Sequence, residues 1–183
     1  MNMSKSLIRG SLFIVVAILI GCAPSIHDLA GQGDIESLEM VLDADPGLLQ
    51  STNELGKTPL HYAASHNRLD SMQALVTYEL DVNAQDDTGL TALHICAGRN
   101  MRPLLRFLIK RGADASIQDD FGDTALHHAA MKGSVECVND LLKVRVDPWT
   151  KNNEGLTAMD LAERFGHQRI ANRFKLMSPP DED

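Results

Sequence analysis

The side chains best equipped for chemistry in this 183-residue sequence are seven histidines and three cysteines. An imidazole can be a general base, a zinc ligand or a buried hydrogen-bonding group. His27, His61, His94 and His127 recur at steps of about 33 residues, so they read as one structural position repeated. His66, His128 and His167 lack the spacing that zinc sites use. Cys96 stands in a column of alanines and Cys137 beside Val135 and Val138, the setting of small buried thiols. A disulfide between them needs an oxidising compartment and Cα atoms within ~7 Å, and the spacing leaves that pairing open. No nucleophile elbow, phosphate loop or paired-carboxylate motif is present. The expectation is therefore no catalytic residue, no metal, no cofactor and no small-molecule substrate.

What carries these residues is a repeat. Gly56, Gly89, Gly122 and Gly155 keep the same period as Thr58, Thr91, Thr124 and Thr157. Leu60, Leu93 and Leu126 follow it, with Met159 in the last copy, and Asp160 takes the histidine position there. Asp81, Asp114 and Asp147 mark the ends of units. A threonine followed by proline, as at Thr58-Pro59, suits a helix start, where the hydroxyl caps a free N–H and the missing donor is harmless. Small residues in the first helix of each unit (Ala63, Ala64; Cys96, Ala97; Ala129, Ala130) let neighbours approach closely. The second helix carries an apolar stripe: Ile35, Leu38, Val41 and Leu42, then Leu69, Met72, Leu75 and Val76, then Val135, Val138, Leu141 and Leu142. Pro103 falls near the start of such a helix, where it is tolerated. With only 4% aromatic residues the core must be aliphatic. A single helix pair cannot hide its apolar face, so neighbouring pairs must stack.

The run Thr58-Pro59-Leu60-His61-Tyr62-Ala63-Ala64 resembles the T-P-L-H-x-A signature of ankyrin repeats, and the runs from Thr91 and Thr124 are softer copies. The resemblance implies a mainly α ankyrin-repeat solenoid of about five helix-turn-helix units with short β-hairpin loops. It covers residues 26–177, as repeats 26–52, 53–85, 86–118, 119–151 and 152–177. It also implies that the repeated histidine hydrogen-bonds between adjacent units. Gly112-Ala113-Asp114 matches the usual unit ending, with positive φ expected at Gly112. Glu79 and Arg145 occupy that glycine position in two copies, each at an expected cost on the order of 1 kcal/mol. Gln168 and Lys175 read as a polar cap, and residues 178–183 (SPPDED) as a flexible acidic tail.

Ahead of the repeats, Lys5 and Arg9 precede an apolar run from Leu12 to Ile20. That run is short of the ~20 residues of a membrane span but suits a signal peptide. Leu19-Ile20-Gly21-Cys22 resembles the lipobox of bacterial lipoproteins. The resemblance implies removal of residues 1–21, lipid attachment at Cys22, and a lipidated N-terminus and short linker over 22–25. An ordinary signal peptide and an uncleaved anchor are the alternatives. Ala23 at the second mature position resembles the outer-membrane sorting signal of enterobacteria, which implies a location in the bacterial envelope, lipid-anchored and facing the periplasm. The formal net charge is -8, and the first 21 residues contain no acid, so the remainder is more acidic still. Such a surface repels phosphate backbones, no basic stripe is evident, and nucleic acid is not expected as a partner.

Ankyrin proteins bind other proteins through loop tips and the face of their first helices. Carried over position by position, the tips are Glu54, Leu55, Asp87, Thr88, Asp120, Phe121, Asn153 and Glu154. Lys57, Leu90, Asp123 and Leu156 follow the tip glycines, and Ser65, His66, Gly98, Arg99, Met131 and Lys132 are the outward positions of the first helices. Leu55, Leu90, Phe121 and Met131 form an apolar row among charges, as an interface core does. Trp149 reads either as a packing residue or as a second anchor. Some ankyrin-bearing periplasmic lipoproteins resemble this chain and act as immunity proteins against antibacterial phospholipase effectors of type VI secretion. That resemblance implies a secreted lipase as partner. A stabilising partner of a periplasmic enzyme such as a catalase, or a structural envelope scaffold, are the other roles that fit.

Overall fold

The computed structural model describes residues 24–78, 80–144 and 146–177. Cys22 and the leader, Glu79, Arg145 and the tail 178–183 lie outside the described residues. The described residues form ten α-helices and one 3-10 turn, with no strand. None of these helices is long and apolar enough to cross a membrane. The chain divides into two compact units after Asp81.

The first unit contains α1 (Ile26–Gln32), α2 (Ile35–Ala44), a 3-10 turn (Pro46–Gln50), α3 (Pro59–Ser65) and α4 (Leu69–Val76). Helix α1 starts at a reciprocal cap. The Ser25 hydroxyl accepts the Asp28 N–H while the Asp28 carboxylate accepts the Ser25 N–H, satisfying two otherwise free donors. Helix α1 packs on α3 and α2 on α4. The inward residues of the expected stripe, Leu38, Val41, Leu42, Met72 and Leu75, are fully buried between the second helices. Each such side chain contributes about 1.5–3 kcal/mol relative to exposure.

The second unit contains α5 (Ala92–Gly98), α6 (Arg102–Lys110), α7 (Ala125–Lys132), α8 (Val135–Leu141), α9 (Ala158–Arg164) and α10 (Gln168–Lys175). First helices stack in the order α5, α7, α9, and second helices in the order α6, α8, α10. The alanine and cysteine columns explain the close approach of the first set: Ala92, Cys96, Ala97, Ala125, Ala129, Ala130, Ala158 and Ala162 are all buried. Leu104, Leu105, Leu108, Leu141, Ile170 and Phe174 fill the layer between the sets. Gln168 and Lys175 face solvent on the last helix, and Lys175 pairs with Glu163 at 2.7 Å. Gly112 has φ 89, as its place after a helix requires.

The hairpins expected from the resemblance are reduced to tight turns. In one, Gly89 N–H donates to the Asp86 carbonyl at 2.9 Å and Asp86 N–H to the Leu90 carbonyl at 2.9 Å. The Asp86 carboxylate closes the turn by accepting the N–H groups of Thr88 and Leu90. Asp119 does the same for Phe121 and Asp123. Consecutive tips touch backbone to backbone: Asp120 N–H donates to Thr88 O at 3.1 Å, and Asn153 N–H to Phe121 O at 2.9 Å. The Gln118 amide bridges two turns by donating to Gly122 O at 2.6 Å and Lys151 O at 3.3 Å. Gly122 is doubly required here. Its φ is 75, and a Cβ on it would lie 2.7 Å from Asn153 N. Between the helices of a pair the chain turns through one left-handed residue: Gly33, Asn67, Asn100, Gly133 or Gly166. Asparagine tolerates that conformation better than other side chains.

Candidate partner-binding site

The four repeated histidines are buried, and their chemistry is fixed by what faces each ring nitrogen. At His94, Nδ1 lies 3.1 Å from the Thr91 N–H and 2.9 Å from the Thr91 hydroxyl. A nitrogen facing a backbone donor must accept, so the proton sits on Nε2. Nε2 in turn donates to the Asp123 carbonyl of the next repeat at 3.2 Å. His127 repeats the arrangement with Thr124 and the Leu156 carbonyl. At His61, Nδ1 meets the Thr58 N–H in the same way, and His27 Nε2 lies 3.1 Å from the Ser51 carbonyl. Burial, reinforced by the neighbouring His128, pushes His94 down to about 4. Burial also lowers His127. His94 and His127, held towards the neutral form by burial, thus connect adjacent repeats, as expected from the resemblance.

Cys96 and Cys137 are both fully buried free thiols, with no disulfide between them. Burial raises both, Cys137 to about 11, which leaves no reactive thiolate at neutral pH. One grouping escaped the sequence reading. Asp119, Asp123 and His128 bring their donor atoms within 4.8 Å of one another. Each is already engaged: His128 Nε2 donates to Asp119 Oδ2 at 2.7 Å, and Asn152 Nδ2 donates to Asp123 Oδ1 at 2.7 Å. A cation could sit among them only by displacing these bonds.

The surface expected to meet a partner is distributed over both units. In the first unit, Glu54, Leu55 and His66 are exposed and Lys57 is half-buried. In the second, Asp87, Thr88, Arg99, Asp120, Phe121 and Lys132 are exposed, while Leu90 and Met131 are half-buried. Two of the expected residues are drawn inward. Asp123 is 6% exposed, because its carboxylate faces Asn152 of the next repeat instead of solvent. Trp149 is half-buried, with its ring edge-on to the buried Phe174 at 6.5 Å.

What the structure does gather is a groove between α7 and α9. Phe121, Met131, Leu161 and Phe165 give it apolar walls, and Asp123, His128, Glu154 and Arg164 give it polar ones, around a volume of ≈ 390 Å³. Phe121 is 69% exposed and Phe165 51%, far more than a ring stabilised by packing alone. Glu154 and Arg164 are held to each other at 2.8 Å across the rim. Of the expected site residues, Phe121, Asp123, Met131, Asn153 and Glu154 meet here. Phe165 was missed, although it lies one period beyond Lys132 and extending that column once more finds it.

Comparison with known proteins accounts for this architecture. The family model described as ankyrin repeats (3 copies) matches residues 26–119 and again 93–175. A serine/threonine-protein kinase, VIK, of Arabidopsis thaliana is 37% identical over 57 residues, which are 31% of this chain and 13% of that protein. The likeness is thus confined to a small part of the kinase. Helix pairs in register, the Thr–His cap in each of three copies and the family match over most of the sequence lead to one conclusion: the chain belongs to the ankyrin repeat family, a family of protein–protein interaction modules.

Proposed function

We propose that this protein is a lipid-anchored binder of the bacterial envelope that neutralises a lipase effector delivered by type VI secretion. The observation that carries the reading is the groove. Two exposed phenylalanines flank a concavity large enough for a projecting side chain of another protein, and desolvated aromatic anchors are where binding energy concentrates. The histidine that lines it, His128, is engaged with Asp119 at 2.7 Å. The lipobox-like Leu19-Ile20-Gly21-Cys22 supports the anchor, and an anchored binder would meet a membrane-attacking enzyme where it acts.

The test has two parts. Cys22→Ser should move the protein from the membrane to the soluble fraction, and unchanged fractionation would end the anchor reading. That soluble variant, used as bait in envelope extracts challenged with secreted effectors, should capture a lipase whose activity falls as the bait is titrated in. Phe121→Ala with Phe165→Ala should weaken capture at least about tenfold, since truncating an aromatic anchor typically costs over 1 kcal/mol. A lipase that keeps full activity at saturating bait would refute neutralisation.

A further inference from the structure

The second helices of the Val82–Asp183 unit carry charge that runs against the rest of the chain. The whole sequence has a net charge of -8. On α6, however, Arg102, Arg106 and Lys110 follow one another at the four-residue spacing of a single helix face. Packing of α8 against α6 adds Lys143 to the same place. These four cations and the aliphatic Ile109 line a depression of ≈ 240 Å³ that holds one carboxylate, that of Asp140. The sequence reading missed this stripe, although three of its four cations stand at helical spacing and only Lys143 joins through packing.

The charges do not cancel. Asp140, whose side chain is only 8% exposed, binds Arg102 Nε at 2.6 Å and Lys143 Nζ at 3.0 Å. Arg102 beside it holds its carboxyl below the usual range, so it remains ionised and spends its charge orienting those two cations. Arg106 and Lys110 have no acidic partner among the described residues. Cations gathered round a concave surface focus a positive potential there and attract an anion. Guanidinium groups favour phosphate oxygens, which they can meet in pairs.

The shallowness of the site decides the source. A soluble phosphate compound needs enclosure and several convergent donors to be held from dilute solution. Headgroups in an anionic membrane are present at high local concentration, and each nearby Lys or Arg adds attraction. Nucleic acid fits less well, because several more phosphate contacts are needed to overcome salt and the rest of the chain is acidic. We propose that this depression binds the phosphate of an anionic lipid headgroup, laying the α6–α8 face of the unit against a membrane surface. The proposal does not depend on which protein fills the groove between α7 and α9, since the two sites share no residue.

The experiment compares the full chain with its Arg106→Gln/Lys110→Gln variant in flotation with vesicles of phosphatidylcholine alone or with about a third phosphatidylglycerol. Each basic residue near an anionic surface is worth about fivefold, so the variant should bind the anionic vesicles about 30-fold more weakly. Both proteins carry Cys22→Ser, because an acyl anchor would hold each of them on every vesicle and mask the difference. Both side chains are exposed, and identical thermal melting will show that the fold is intact. Inorganic phosphate and a short DNA duplex serve as competing ligands. Equal binding of the two proteins to anionic vesicles would overturn the proposal. So would patch-dependent binding of free phosphate or duplex DNA with no patch-dependent binding of vesicles.

Discussion

His94 Nδ1 accepts from the Thr91 backbone N–H, a group that cannot become an acceptor, so a proton arriving there breaks that bond and must turn to the Thr91 hydroxyl. In the unfolded chain the same imidazole titrates near 6.5, whereas in the fold burial holds it down to about 4. As pH falls, the unfolded state therefore takes the proton first. The stabilisation is complete above pH 6.5, is lost progressively as pH falls through the interval down to about 4, and changes no further below it. The gap corresponds to about 3 kcal/mol at most, with a slope approaching about 1.4 kcal/mol per pH unit in mid-interval. His127, shifted the same way, adds to it. The His128 ring, edge-on at 5.4 Å, opposes the proton, while Asp119 partly favours it. Urea unfolding followed by circular dichroism from above pH 6.5 down to about pH 5 measures the slope in the region where ordinary carboxylates contribute least. His94→Gln should be less stable at neutral pH yet show a shallower decline, because its amide cannot titrate. A flat profile for the parent protein, or an identical slope in the variant, would refute the assignment of the proton-linked stability to this residue.

Gly122→Ala should destabilise by at least about 2 kcal/mol, since it combines a left-handed backbone with a Cβ 2.7 Å from Asn153 N; thermal denaturation reads it directly. Asn100→Ala, at φ 55 without a close contact to relieve, should cost about 1 kcal/mol in the same assay, and no loss would mean that the turn relaxes. Cys96 and Cys137 should resist a thiol reagent in the native protein and both react once it is denatured without reductant; fast native labelling would contradict their burial.

The period was legible because it is written in residues with distinct local duties. The threonine caps, the histidine three positions on joins repeats, and the small pair admits the neighbouring helix, so each column survives as a letter pattern. Gln85 and Gln118 escaped notice because an amide that bridges two turns looks like any polar loop residue until the turns are stacked. Asn67 and Asn100 hide similarly, as left-handed residues aligned with Gly133 and Gly166. At the candidate site, exposure of Phe121 followed from its tip position, whereas burial of Asp123 depends on Asn152 from the next repeat. Three cations of the depression, Arg102, Arg106 and Lys110, stand in the sequence at helical spacing, whereas Lys143, just after α8, joins them only in the folded chain.

The histidine-to-carbonyl bonds also bear on how such a chain can change in length. His94 and His127 each reach a carbonyl 29 residues further on, so the intervening stretch is counted as well as spanned. A residue added within it would carry the carbonyl past the imidazole unless a loop absorbed the excess. A whole repeat could be gained or lost with every such bond kept. Length in this architecture is therefore quantised, with fractional changes confined to places where the count is not enforced. The first repeat shows one of them: His27 meets a carbonyl 24 residues on, at Ser51, and the chain from Thr52 to Lys57 is released to form the turn that exposes Leu55.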